Sequence, residues 1–141
     1  GREGWRAATA DPGPDIDRLL AKSDVTDAAG EQAARQLLSH PDRATAIIAC
    51  NDQMALATLE VARLMGLSVP NDLSIVSFDN TPLVHFTQPP LTAVDQPIAA
   101  TTARAVELII AAKKEGIVPP SRTIVPASIS IRQSVAAPPA N

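Results

Sequence analysis

Two polar residues are spaced to build half of a small-molecule pocket. Asn51 directly follows the apolar run Thr45–Cys50, and Asp79 directly follows the apolar run Leu73–Phe78. A helix-forming stretch lies between them. If the runs are parallel strands joined by that helix, both side chains emerge at one edge of the sheet. Ligands of open parallel sheets bind beyond the carboxyl ends of the strands. Asn offers a donor and an acceptor together, whereas ionised Asp only accepts. The pair suits vicinal hydroxyls, or a hydroxyl beside an amine. Both residues also have an ordinary use, because Asn51 can cap the helix and Asp79 can begin a turn. Spacing alone gives the two readings equal weight.

Other reactive side chains offer less. The lone Cys50 sits in an apolar run and reads as a small core residue. His40 and His85 have no carboxylate or thiol at a metal spacing, so both read as surface or packing residues. Trp5 can stack on a sugar ring or pack against a sheet, and spacing does not separate the two. The sequence carries no nucleophile–base pairing, no zinc-protease motif and no glycine-rich phosphate loop. Neither catalysis, a metal nor a cofactor is therefore expected.

The elements that must position Asn51 and Asp79 follow from the punctuation. Arg18–Lys22 reads as a short strand. A helix is expected over Ala28–Ser39, capped by Thr26 or Asp27, with Glu31 and Arg35 as an i,i+4 pair and His40-Pro41 as its stop. Thr45–Cys50 and Leu73–Phe78 lack alternation, as strands buried on both faces do. Asp52–Met65 is helical, with Asp52 favouring the N-terminal dipole and Gly66 past the end. Its apolar residues run beyond one stripe, which calls for a second contact such as a partner subunit. Pro70-Asn71-Asp72 is a turn, and Thr81–Phe86 is a short helix or turn. Leu91–Asp95 is a strand, and Pro97–Glu115 a long helix with Pro97 as its first residue and Gly116 as its stop. Ile98, Thr102, Ala105, Ile109 and Ala112 form that helix's inner stripe. Short strands are expected at Thr123–Pro126 and Ser128–Arg132, then a frayed tail from Ala136. The order β-α-β-α-β-α-β predicts a parallel α/β sheet.

Composition narrows the classes. The 141 residues are 45% hydrophobic, enough for one domain with a real core. The net charge of −3 is spread without the Lys/Arg clustering of a nucleic-acid footprint. The single cysteine makes no internal disulfide and points to an intracellular chain. No apolar run approaches the roughly 20 residues that span a bilayer, and no signal peptide opens the chain. No membrane partner is expected.

Three segments taken together resemble the lactose-repressor/galactose-repressor family of bacterial transcription regulators. They are Asn51-Asp52-Gln53-Met54-Ala55, then Gly66-Leu67 with Val69-Pro70 and Asp72, then Ser74-Ile75-Val76 with Phe78-Asp79. The PPLTAVDQP run, the long helix after it, and the upstream EGWRAA and AARQLL also fit, so the resemblance covers Arg2 to Ser134. It implies a doubly wound, two-lobed periplasmic-binding-protein-like core of type I. Residues 1–94 would be most of the C-terminal lobe, 95–125 would complete the N-terminal lobe, 126–134 would return, and 135–141 would be a disordered tail. The family's effector-contacting Asn and Asp fall on Asn51 and Asp79. Gln96 matches a position at the back of the cleft, and Ile98 one that can line it. The family's effector-contacting Arg lies four residues before an aromatic. Four before Trp5 is Gly1, and Arg2, one place off, is the candidate for that contact.

The resemblance implies a cytoplasmic effector sensor for a sugar, polyol or purine. It would be a homodimer through the 52–65 helix and the 81–86 segment, with DNA bound only by a preceding helix-turn-helix domain. The alternative is the sugar-binding protein of an ABC transport system, which shares the core. Without a first lobe, the inner stripe of the Pro97–Glu115 helix would be uncovered, and the piece alone is expected to aggregate, swap or rearrange.

Overall fold

The computed structural model describes residues 19–22, 26–116 and 122–139. Helix α1 (Asp27–Leu38) leads to strand β1 (Ala46–Ile48), helix α2 (Asp52–Leu64) and strand β2 (Ser74–Asp79). A 3-10 turn (Pro82–His85), strand β3 (Thr92–Asp95), helix α3 (Ile98–Glu115) and strand β4 (Ser128–Ser130) follow. Thr26 caps α1 by accepting from the Ala29 N–H at 3.2 Å. Gly66 and Gly116, at φ +72 and +75, turn the chain out of α2 and α3 without the steric cost a Cβ would add. Pro97 is the cap of α3, one place outside the helix it was expected to start.

The strands lie in the order β1-β2-β3-β4. The first three are parallel, with Ile47 opposite Ile75 and Asp79 opposite Asp95. The fourth is antiparallel, with Ser128 opposite Asp95, so the sheet is mixed where an all-parallel one was expected. The reason lies in α3. A parallel return needs a crossover helix packed on the sheet, but α3 makes no substantial contact with any other element. The chain leaves at the β3 end and returns to that same end, so β4 must run back.

Helices α1 and α2 pack on each other, and α2 packs on β2. Their contact is close at Gly30, where a Cβ would come within 3.2 Å of the Ala57 Cβ. The core joins Ala34 and Leu38 of α1, Ala55, Val61 and Ala62 of α2, and Ile47, Ile75 and Ala93 of the sheet. Leu73, Val84 and Leu91 close its ends. Alternation places Ile48 and Ile129 on the opposite sheet face, where they are 58% and 64% exposed among the described residues. β1 is therefore buried on one face only, not on both as its run of apolar residues suggested.

Beyond β4 the chain is sewn to the sheet. Buried Ser134 accepts from the Thr92 N–H at 2.8 Å and donates to the Ile75 carbonyl at 2.6 Å. Ala136, expected to fray, accepts from the Ser74 hydroxyl at 3.2 Å and donates its N–H back to it at 3.1 Å. Other local expectations fail. Leu19–Lys22 and Thr123–Pro126 form no strand, the first lying apart from every ladder and the second preceding the β3 pairing that defines β4. Glu31 and Arg35 make no ion pair; the pairs among the described residues are Glu60–Arg63 and Arg104–Glu107. Cys50 is exposed, because β1 ends at Ile48 and leaves it beyond the packed part of the strand.

Candidate functional site

Asn51 and Asp79 lie at the carboxyl edge of the adjacent parallel strands β1 and β2, though not directly after them as expected: β1 ends at Ile48, three residues before Asn51, and Asp79 is the last residue of β2. Asn51 also performs its ordinary role. In extended conformation it caps α2, its Oδ1 accepting from the Met54 N–H at 2.8 Å. That bond orients the amide and leaves the NH2 group as the part it can offer a ligand.

Asp79 ends β2 with φ +94, and Asn80 follows with φ +59. Two consecutive left-handed residues without glycine cost on the order of 1–3 kcal/mol each and persist only where surroundings hold them. Asp79 Oδ1 accepts from Gln96 Nε2 at 2.5 Å, so the structure joins two of the expected site residues. Asp95, opposite Asp79 in register, adds a second carboxylate to the same edge. Ile98 opens α3 beside Gln96 and is 65% exposed. Gln96, Pro97, Ile98, Thr101 and Thr102 line a shallow cavity of about 150 Å³. Arg2 and Trp5 lie outside the described residues.

The edge thus offers an oriented amide donor at Asn51 and carboxylates at Asp79 and Asp95, while Pro97 and Ile98 form the apolar wall of a cavity that neither Asn51 nor Asp79 lines. Such a surface can hydrogen-bond hydroxyls or amines and pack a small ring. Among the described residues no group of acids, histidines and cysteines could hold a metal ion.

Reading the sequence missed what holds this edge in place. Asp52 was read as a dipole partner on the first turn of α2, but it is only 4% exposed. Its carboxylate accepts from the Ser77 hydroxyl and, at 2.7 Å, from the Thr81 N–H. A charge-assisted bond of this kind is roughly twice as strong as a neutral one. On the other flank, Asn80 Oδ1 accepts from Arg132 Nη2 at 2.6 Å, and Asn80 Nδ2 donates to Ser130 Oγ at 3.3 Å. His85, read as a surface or packing residue, has Nε2 at 2.7 Å from Arg132 Nη2. These partners lie far apart in sequence, and no local signal announces them. A larger groove of about 340 Å³ lies elsewhere, between Leu56, Leu59, Leu67, Val69 and Pro89, with Glu60, Arg63 and Gln88.

Comparison with known proteins agrees with this architecture. A family model described as a periplasmic binding protein-like domain matches residues 2–135. The HTH-type transcriptional repressor CytR of Escherichia coli (strain K12) is 46% identical over 80 residues, which are 57% of this chain and 24% of CytR. Catabolite control protein A of Priestia megaterium is 36% identical over 133 residues, 94% of this chain and 40% of that protein. The solved complex of the transcriptional regulator CelR with cellobiose superimposes with a TM-score of 0.83 at 30% identity, covering 94% of this chain and 41% of CelR. The chain therefore spans less than half the length of these relatives.

Proposed function

The chain belongs to the periplasmic-binding-protein-like family, as an effector-binding domain of the LacI type, and from that premise we propose that it senses a small polar effector and thereby controls DNA binding. The effector, a sugar, polyol or purine, sits in a cleft between this lobe and a second one. Asn51, Asp79 and Gln96 hydrogen-bond it, Ile98 packs against it, and Arg2 supplies the guanidinium contact. The relatives are regulators and not enzymes, and the domain is a binding module that acts in the cytoplasm. Among the described residues no helix is long and apolar enough to cross a membrane. The transport-protein alternative is not favoured, because the named relatives regulate transcription.

The observation that carries this reading is the shared edge. An amide and a carboxylate emerge from adjacent parallel strands, and Gln96 bonds to the second of them. A second support is α3, none of whose described side chains is buried. Residues 95–125 complete the other lobe, which covers that helix. Residues 1–94 and 126–134 form this lobe.

The protein acts as a homodimer through α2 and the 81–86 segment. Leu64, Leu83 and Phe86, exposed by 54%, 62% and 87%, lie on those elements.

The test uses the full-length regulator. A thermal-shift screen with cellobiose, ribose and adenine finds a ligand by the stabilisation it confers. Calorimetry then compares wild type with Asp79→Asn, which tolerates the left-handed backbone, and Asn51→Asp, which keeps the cap but loses the donor. Losing one buried bond to a polar effector costs about 1–3 kcal/mol, so affinity falls about 5- to 150-fold. Unchanged affinity in both variants would remove these residues from the site.

A further inference from the structure

The left-handed pair Asp79–Asn80 needs an external hold, because residues other than glycine leave that conformation when free to do so. Asp52 supplies one hold, on the Thr81 N–H. The other converges on Arg132. Its guanidinium reaches three segments at once: Asn80 Oδ1 at 2.6 Å in the loop, His85 Nε2 at 2.7 Å in the 3-10 turn, and the Leu91 carbonyl at 2.5 Å at the entry to β3. None of these acceptors is a carboxylate, so the contact is a fixed fork of donors, not an ion pair. The main chain around Arg132 is anchored without the side chain, by its own N–H to Thr92 Oγ1 at 2.9 Å and by Ser134. The side chain therefore has a task beyond tying down the segment after β4.

We propose that Arg132 is a positioning residue for the ligand edge: acting through Asn80, it fixes the direction of the Asp79 carboxylate without touching a ligand. The inference rests on reading Asp79 as an effector contact. It adds that the contact depends on a side chain from the far side of the sheet. A lysine cannot replace it, since a single ammonium lacks the planar fork needed to reach Asn80, His85 and Leu91 together.

The experiment needs no ligand. In the full-length protein, amide hydrogen exchange and the NMR signals of the Gln96 side-chain amide are compared between wild type and Arg132→Lys. The expected result is exchange at Asn80 and Thr81 faster by about tenfold or more, with Ile75 and Ala93 unchanged. The Gln96 amide signals also shift as its bond to Asp79 loosens. If Arg132→Lys does not fold, Arg132→Gln gives the same reading, because it leaves Asn80 and its backbone unchanged and removes the fork of donors. Uniform acceleration across the sheet would make Arg132 a general anchor and overturn the proposal, as would unchanged exchange at Asn80 and Thr81. Unchanged affinity in Asp79→Asn, by contrast, would sink the effector-contact reading and leave the clamp standing.

Discussion

Helices α2 and α3 share an apolar-rich composition and have opposite fates. Six residues of α2 are buried, and it starts on a side-chain cap from Asn51. α3 is longer, has no side-chain cap and buries none of its described side chains. α3 forms because it is long and alanine-rich, the two properties that let a helix persist with little packing. α2 adds the contacts that turn a helix into a core element. Helix formation is thus legible from local sequence, while burial depends on what lies opposite.

Ile75, in the strand that α2 covers, and Ile109, on α3, give that contrast its largest expected effect. Ile75 is fully buried and Ile109 is 67% exposed. Urea unfolding of Ile75→Ala should show a loss of about 2–5 kcal/mol. Ile109→Ala should stay within about 0.5 kcal/mol in this chain. In a longer regulator carrying the proposed second lobe, the Ile109 cost should rise toward that of a buried aliphatic, about 1.5–3 kcal/mol. An Ile109 that is equally tolerant in both contexts would break the idea that α3 waits for a cover.

A smaller effect separates the two helix starts. Asn51→Ala removes the α2 cap and should cost about 1 kcal/mol, whereas Asn51→Asp should restore most of it. Pro97→Ala at the start of α3 removes no side-chain bond, and thermal melts should barely register it.

The smallest effect concerns the solvent face of α2. The Arg63 guanidinium bonds both Glu60 oxygens at 2.6 and 2.8 Å and lowers the Glu60 pKa from its ordinary 4.5. A carboxylate lowered on folding contributes stability above its unfolded pKa and loses it as pH falls through the lowered value. Both side chains are exposed, so salt should weaken the effect. NMR titration of Glu60 in Arg63→Gln should return its pKa toward the ordinary value.

The parts of the site readable in advance were those with local rules. Asn51 after one apolar run and Asp79 after the next required only the βαβ unit. Gln96 came from the family resemblance, and its bond to Asp79 is a tertiary fact. Asp52 shows how a local rule can be met and still mislead. It does stand in the first turn of α2, yet its carboxylate is spent on Ser77 and Thr81. Arg132 gave no signal, since its side-chain partners lie 41 to 52 positions away in sequence. The reversal of β4 was hidden for a related reason. Its direction depends on whether α3 docks on the sheet, which the pattern of α3 itself does not reveal.

That reversal makes everything between Asp95 and Ser128 an excursion that begins and ends at one point, since those two residues face each other across the ladder. Strands so disposed are the arms of a hairpin, and a two-residue primed turn is the usual way to join such arms. Excising 96–127 and splicing in Asn-Gly would therefore convert a lobe with a long detour into one whose last two strands form a plain hairpin, a minimal scaffold on which the remaining edge residues could be studied by themselves.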